Sequence, residues 1–83
     1  TVAAAQEARI GSYITLVGHV LAHLREDYYR FADDTGEMRV EIHGNAWRGQ
    51  RVGPETRVRL MGEVDRNFTG TRYLWVKSVT LID

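Results

Sequence analysis

The sequence predicts an all-β fold, a small, partly open Greek-key barrel of five strands, and three observations carry it. Five segments alternate apolar and polar residues with a period of two. The one long gap between them falls between the third and the fourth, at residues 45–55. Two glycines, Gly18 and Gly62, sit in the middle of long alternating runs, where a missing side chain lets a strand bend.

The first strand runs from Tyr13 to Leu24, with Ile14, Leu16, Gly18, Val20, Ala22 and Leu24 on the inner face. Tyr13, Thr15, Val17, His19, Leu21 and His23 fall on the outer one. A short second strand sets Tyr29 and Phe31 inward and Tyr28 and Arg30 outward. Asp33-Asp34-Thr35-Gly36 then reads as a turn, because Asp accepts local backbone hydrogen bonds and Gly tolerates positive φ. The third strand points Met38, Val40 and Ile42 inward and Glu37, Arg39, Glu41 and His43 outward. Residues 45–55 hold Trp47, two glycines and the single proline, which suits a short helical turn. The fourth strand sets Val58, Leu60, Gly62 and Val64 against Arg57, Arg59, Met61, Glu63 and Asp65. The fifth sets Leu74 and Val76 against Tyr73, Trp75 and Lys77, and the apolar phase slips by one at Val79, the mark of a bulge or of the end of pairing. This order of elements is the layout of an OB-fold. We divide the chain into an N-terminal segment, 1–12, and an OB-fold domain, 13–83. The alanines of residues 1–8 favour a short helical segment that either packs on the barrel or frays.

At 83 residues, 43% hydrophobic and 27% charged, the chain has the composition of one small globular domain. It lacks cysteine, so disulfide and thiolate chemistry are excluded. The formal net charge of zero argues against a dedicated binder of duplex DNA. Residues 1–43 carry four basic and seven acidic residues, net −3, whereas 44–83 carry seven and four, net +3. Folding either sets the halves against each other or leaves one acidic and one basic face.

"YITLVGHVLAHL", "YYRFADDTGEMRVEIHGNAWRGQRVGPETRVRLMGEVD" and "WVKSVTLID" together resemble the bacterial OB-fold (BOF) family of the YgiW/YdeI stress-tolerance type. The matching positions are Thr15, Leu16 and Gly18, then Tyr29, Phe31, Asp33, Thr35 and Gly36, then Trp47, and finally Val58, Leu60, Gly62, Glu63, Val64 and Asp65. The resemblance implies an exported periplasmic protein whose signal peptide has been removed. It further implies a role in tolerance of oxidative, metal or antimicrobial-peptide stress, and it does not imply a catalytic activity. Trp75 is a departure, since family members often carry a charged or small polar residue there.

Asp34-Thr35-Gly36 is also the tripeptide of aspartic proteases, and a single copy would require a homodimer with Asp34 as the shared catalytic carboxylate. Asp33 before it and Glu37 after it oppose that reading, because a buried dyad needs apolar approaches. We therefore expect no enzyme and no catalytic residue. His19 and His23 share a face but lie about 13 Å apart along a strand, too far to chelate one ion, and Glu41 with His43 would make at most a weak site. We expect no metal and no cofactor.

The usual ligand side of an OB-fold here presents Tyr28, Arg30, Arg39 and Glu41. A second outward patch is expected where Tyr73, Trp75 and Lys77 approach Arg57, Arg59 and Met61 across a hairpin through 67–71. These nine residues, Met61 aside, are the candidate ligand contacts. The Phe68 loop either closes over a ligand or packs on the barrel end, and Trp47 reads as a core plug. The expected function is a non-enzymatic binding module, monomeric or weakly dimeric. Its partner is a charged small molecule, a glycan, a peptide or an envelope protein. The alternative is a single-stranded oligonucleotide, against which the scarcity of stacking rings on the usual face argues.

Overall fold

The computed structural model describes residues 1–82. Helix α1 (Val2–Ala5) precedes β1 (Tyr13–Arg25), β2 (Tyr28–Asp33) and β3 (Gly36–Glu41), then α2 (Gly44–Trp47), β4 (Arg57–Arg66) and β5 (Arg72–Leu81). The strands close into a barrel in the order β1-β2-β3-β5-β4. Every neighbouring pair is antiparallel except β3 with β5, a short parallel ladder from Arg39 and Tyr73 to Glu41 and Trp75. Among the described residues no helix is long and apolar enough to cross a membrane.

The alternating apolar positions meet inside. Phe31, Val40, Val58, Leu60, Val64 and Leu74 are wholly buried, and among the described residues no polar side chain is buried with them. β1 is long enough to serve both sides of the barrel: Tyr13 to His19 pair with β4, and His19 to Arg25 with β2. The strand must therefore coil sharply near Gly18. A Cβ there would collide with the carbonyl of Ala32 and stand 2.9 Å from Phe31 Cζ. At Gly62 a Cβ would strike the Trp75 peptide, 2.9 Å from its carbonyl carbon.

The phase slip in β5 is a bulge. Met61 faces Ser78 and Gly62 faces Val76, so Lys77 is the extra residue, and it returns Val79 to the core. β1 carries two further bulges that alternation alone does not reveal, one at Leu21 and one at Leu24. The first reverses the expected facing beyond Val20. Ala22 pairs with outward Arg30, and His23 pairs with inward Tyr29, on which its ring stacks at 4.7 Å. His19 and His23 thus do not share a face. Leu24, expected inside, is exposed.

The N-terminal segment closes one end of the barrel. Val2 and Ala5 of α1 are buried, and Thr1 caps the helix by accepting from the Ala4 amide. The Arg72 guanidinium reaches from β5 to the carbonyls of Ala5 and Ala8. At the other end α2 stops at Arg48, which takes the left-handed conformation. Trp47 is half-buried there with its ring edge-on to Tyr29, packed against the core as expected of a plug.

Candidate functional site

The sequence places candidate contacts on two separate patches, and the parallel β3–β5 ladder joins most of them into one face. Cross-strand partners share a side of the sheet, so the registers define two outward rows. The first runs Arg30, Arg39, Tyr73, Asp65 across β2, β3, β5 and β4. The second runs Tyr28, Glu41, Trp75, Glu63 across the same strands.

Side chains touch across these rows. The Arg39 guanidinium lies 5.7 Å from the centre of the Tyr28 ring, and Tyr28 meets Tyr73 edge-on at 6.0 Å. Lys77 Nζ sits 3.2 Å over the Trp75 ring, and Trp75 as a residue remains 39% exposed. Such cation–aromatic contacts at exposed sites contribute about 0.5–1 kcal/mol each. Burial raises the pKa of the Tyr73 phenol, and the carboxylates of Asp65 and Glu41 raise it further, so the ring stays neutral near pH 7. Its hydroxyl donates to Asp65 Oδ2 at 3.5 Å, a long contact. Arg30 and Glu37 approach to 3.7 Å with both side chains about half exposed, an ion pair of small energetic value.

Arg57 and Arg59 are not part of this face. The β4–β5 hairpin runs so that Trp75 opposes Glu63 and Tyr73 opposes Asp65, whereas Arg59 opposes Thr80 and Met61 opposes Ser78. Arg59 is then about 13 Å along β4 from the partner of Trp75. Arg57 lies farther still, beside His19 of β1. The basic and aromatic halves of the expected patch are therefore apart, and Glu63 and Asp65 stand where the arginines were expected. Counting back from the hairpin, Arg66 with Arg72 and then Asp65 with Tyr73, was the signal in the sequence that would have found them.

His43 bridges two carboxylates. Nε2 contacts Glu41 Oε2 at 2.9 Å and Nδ1 lies 3.4 Å from Asp27 Oδ2. Because the carboxylates occupy opposite nitrogens of one ring, the three groups do not converge on a point. Among the described residues no cluster of three potential metal ligands forms. His19 Nδ1 instead contacts the Thr56 carbonyl, and His23 Nε2 the Glu26 carbonyl. Every ion pair among the described residues lies within residues 1–43, so no direct pairing joins the oppositely charged halves.

Asp34 sits exposed at the tip of the two-residue turn between β2 and β3. The carboxylate with structural partners is its neighbour. Asp33 accepts from the Val2 amide and from the amide and hydroxyl of Thr35, all within 2.8 Å. Phe68 is fully exposed, so it does not pack on the barrel end. Asn67 holds its loop by accepting from the Thr69 and Thr71 amides.

Comparison with known proteins agrees with this architecture. The model of the family described as bacterial OB fold (BOF) protein matches residues 1–80. The calcium-regulated OB-fold protein CarO of Pseudomonas aeruginosa is 40% identical over 70 residues, 84% of this chain and 60% of CarO. Protein YgiW of Escherichia coli K12 is 34% identical over 68 residues, 82% of this chain and 52% of YgiW. The chain thus spans little more than half the length of these relatives. The solved structure of E. coli YgiW superposes with a TM-score of 0.92 at 30% identity, covering 98% of this chain and 86% of that one. The p204 HINb domain shares the fold with a TM-score of 0.78 at 22% identity, over 99% of this chain and 46% of that one. The matched family and the closed five-stranded barrel lead to one conclusion: the chain belongs to the bacterial OB-fold (BOF) family.

Proposed function

We propose that this chain is a non-enzymatic binding module of the bacterial periplasm. In this reading it contributes to envelope stress tolerance by holding a charged ligand, a small molecule, glycan or peptide, or an envelope protein on the outer face of β2, β3 and β5. The observation that carries the reading is the contact of Tyr28 with both Arg39 and Tyr73, in the same cross-strand row as Trp75, whose ring carries Lys77. Aromatic rings beside guanidinium, ammonium and carboxylate groups offer stacking and charge-assisted hydrogen bonds on one surface. The names of the relatives, OB-fold protein and YgiW, carry no activity, and Asp34 lies on a solvated turn, which supports a binding role over a catalytic one.

Single-stranded nucleic acid is the less favoured ligand, because Arg57 and Arg59 are remote from Trp75 and carboxylates flank the rings. Amide chemical-shift titration of labelled protein tests the reading with three probes at two salt concentrations: a soluble peptidoglycan fragment, a cationic peptide and a single-stranded oligonucleotide. Shifts at Tyr28, Arg39, Tyr73 and Trp75 with either of the first two are expected. Shifts from the oligonucleotide alone, fading with salt, would replace the proposal with nucleic-acid binding. Periplasmic placement is tested by osmotic-shock fractionation of cells expressing the natural gene.

A further inference from the structure

The outer face continues around the barrel. Tyr28, Glu41, Trp75 and Glu63 form one register row across β2, β3, β5 and β4, and the β4–β1 ladder adds Tyr13 as its last member. Rings and carboxylates therefore alternate from strand to strand. Neighbouring members stand about 4.8 Å apart at the backbone, so Glu41 and Glu63, one on each side of Trp75, are roughly 10 Å apart there.

This row already collects cations. The Lys77 ammonium sits on the Trp75 ring and the Arg39 guanidinium over Tyr28, and neither has a carboxylate within ion-pair distance among the described residues. Glu63, between exposed Trp75 and exposed Tyr13, has no ion-pair partner either. Glu41 contacts His43, whose other nitrogen faces Asp27. At the outward positions Tyr73 to Lys77, Met61 to Asp65 and Tyr13 to Thr15, Glu63 and Asp65 face one base, Lys77. The adjoining bases lie outside that patch. Arg30 and Arg39 are one step away on β2 and β3, Arg72 reaches the carbonyls of Ala5 and Ala8, and Arg66 is the ladder partner of Arg72. Arg59 stands about 13 Å from Glu63 along β4, and Arg9 is exposed in the turn before β1.

We propose that the row from Glu41 through Trp75 to Tyr13 binds a linear polyamine. Its outer ammonium groups pair with Glu41 and Glu63, and its central one takes the place of Lys77 over the Trp75 ring. Three or four methylenes hold successive nitrogens about 5–6 Å apart by ordinary bond lengths, close to the step from carboxylate to ring. Lys77 is then an internal occupant that the ligand displaces. A polyamine suits the row better than a peptide does, because the strands it crosses use their amides in ladders and leave a peptide main chain without partners. This inference rests on the outer-face reading and narrows its charged ligand to a cation.

The test titrates spermidine into the labelled whole chain, with calorimetry for affinity. Shifts are expected at Glu41, Glu63, Trp75 and Tyr13. Glu63→Gln is expected to weaken binding about tenfold, whereas Lys77→Met, which vacates the ring, is expected to strengthen it about fivefold. Arg59→Met removes an equal charge away from the row and is expected to leave affinity unchanged. A gain there equal to that of Lys77→Met would reduce the effect to net charge and overturn the proposal. Magnesium binding as tightly at the same residues would also overturn it, since a compact hydrated ion makes no use of the ring. A lysine peptide that shifts the row where spermidine does not would make a peptide the occupant, with the same consequence. Shifts from the peptidoglycan fragment at Tyr28 and Arg39, with no response to spermidine, would overturn this inference and leave the outer-face reading standing. Silence with every probe would remove both.

Discussion

The Asp33 carboxylate, at the end of β2, accepts a hydrogen bond of 2.8 Å from the backbone amide of Val2, 31 residues earlier in the chain. The residue beside the protease-like Asp34 is thus a fastener between the N-terminal segment and the first hairpin. Thr35 extends the fastening, since its hydroxyl accepts from the Ala3 amide while donating to Asp33.

Replacing Asp33 with Asn should lower stability by about 1–2 kcal/mol, the usual cost of weakening part-buried, charge-assisted hydrogen bonds. Asp34→Asn should stay within about 0.5 kcal/mol, as exposed substitutions usually do. Urea unfolding of both variants checks the contrast, and equal losses would remove the special role of Asp33.

The same carboxylate makes stability depend on pH. Partial burial alone would raise its pKa, but the Thr35 hydroxyl and the amides of Val2 and Thr35 outweigh burial, and the folded value is lowered. The folded state then holds this proton less tightly than the unfolded chain. The contribution is fully present above the unfolded carboxyl value, about pH 4, and is lost as pH falls through the lower folded value. Stability measured from pH 7 to pH 2 should fall less steeply in Asp33→Asn than in the parent.

Gly18→Ala and Gly62→Ala should each cost about 3 kcal/mol or more, because the new methyl group meets backbone carbonyls that cannot turn aside as a side chain would. Thermal unfolding measures the loss. A neutral result at Gly62 would mean that β4 and β5 separate more readily than their ladder implies.

Deleting Lys77 would regularise the β4–β5 ladder while leaving Met61 opposite Ser78 and Leu60 opposite Val79, so Val79, 6% exposed, would stay in the core. No later side chain is reversed, so the deletion should cost no more than about 1 kcal/mol beyond the loss of the ammonium group. Lys77→Ala keeps the count and should cost less than about 1 kcal/mol. Comparing the two in urea separates the role of the bulge from that of the ammonium group.

On the outer face, Trp75→Ala and Arg39→Ala should each weaken binding of the ligand found by titration about tenfold, the loss of roughly 1.4 kcal/mol of contact. Arg57→Ala and Arg59→Ala should leave it unchanged. Affinity measured by calorimetry decides between this face and a β4 surface.

Much of this molecule is legible residue by residue. Alternation located all five strands, the long gap located α2, and Gly18 and Gly62 marked strong bending, because period-two burial and the lack of a Cβ are local properties. The Val79 phase slip announced its bulge for the same reason, since an extra residue leaves a visible break when apolar residues lie on both sides. The bulges in β1 left no such break. Ala22, His23 and Leu24 are compatible with either facing, so the reversal of His23 toward Tyr29 was decided only by pairing with β2. The candidate face divides in the same way. Its aromatic and charged residues were visible as outward positions, but their grouping depends on registers between distant segments. The parallel contact of β3 with β5 joined Arg39 and Glu41 to Tyr73 and Trp75, and the hairpin register set Arg57 and Arg59 apart from them. Single strands encode which way a side chain points, and closure of the barrel decides which side chains meet.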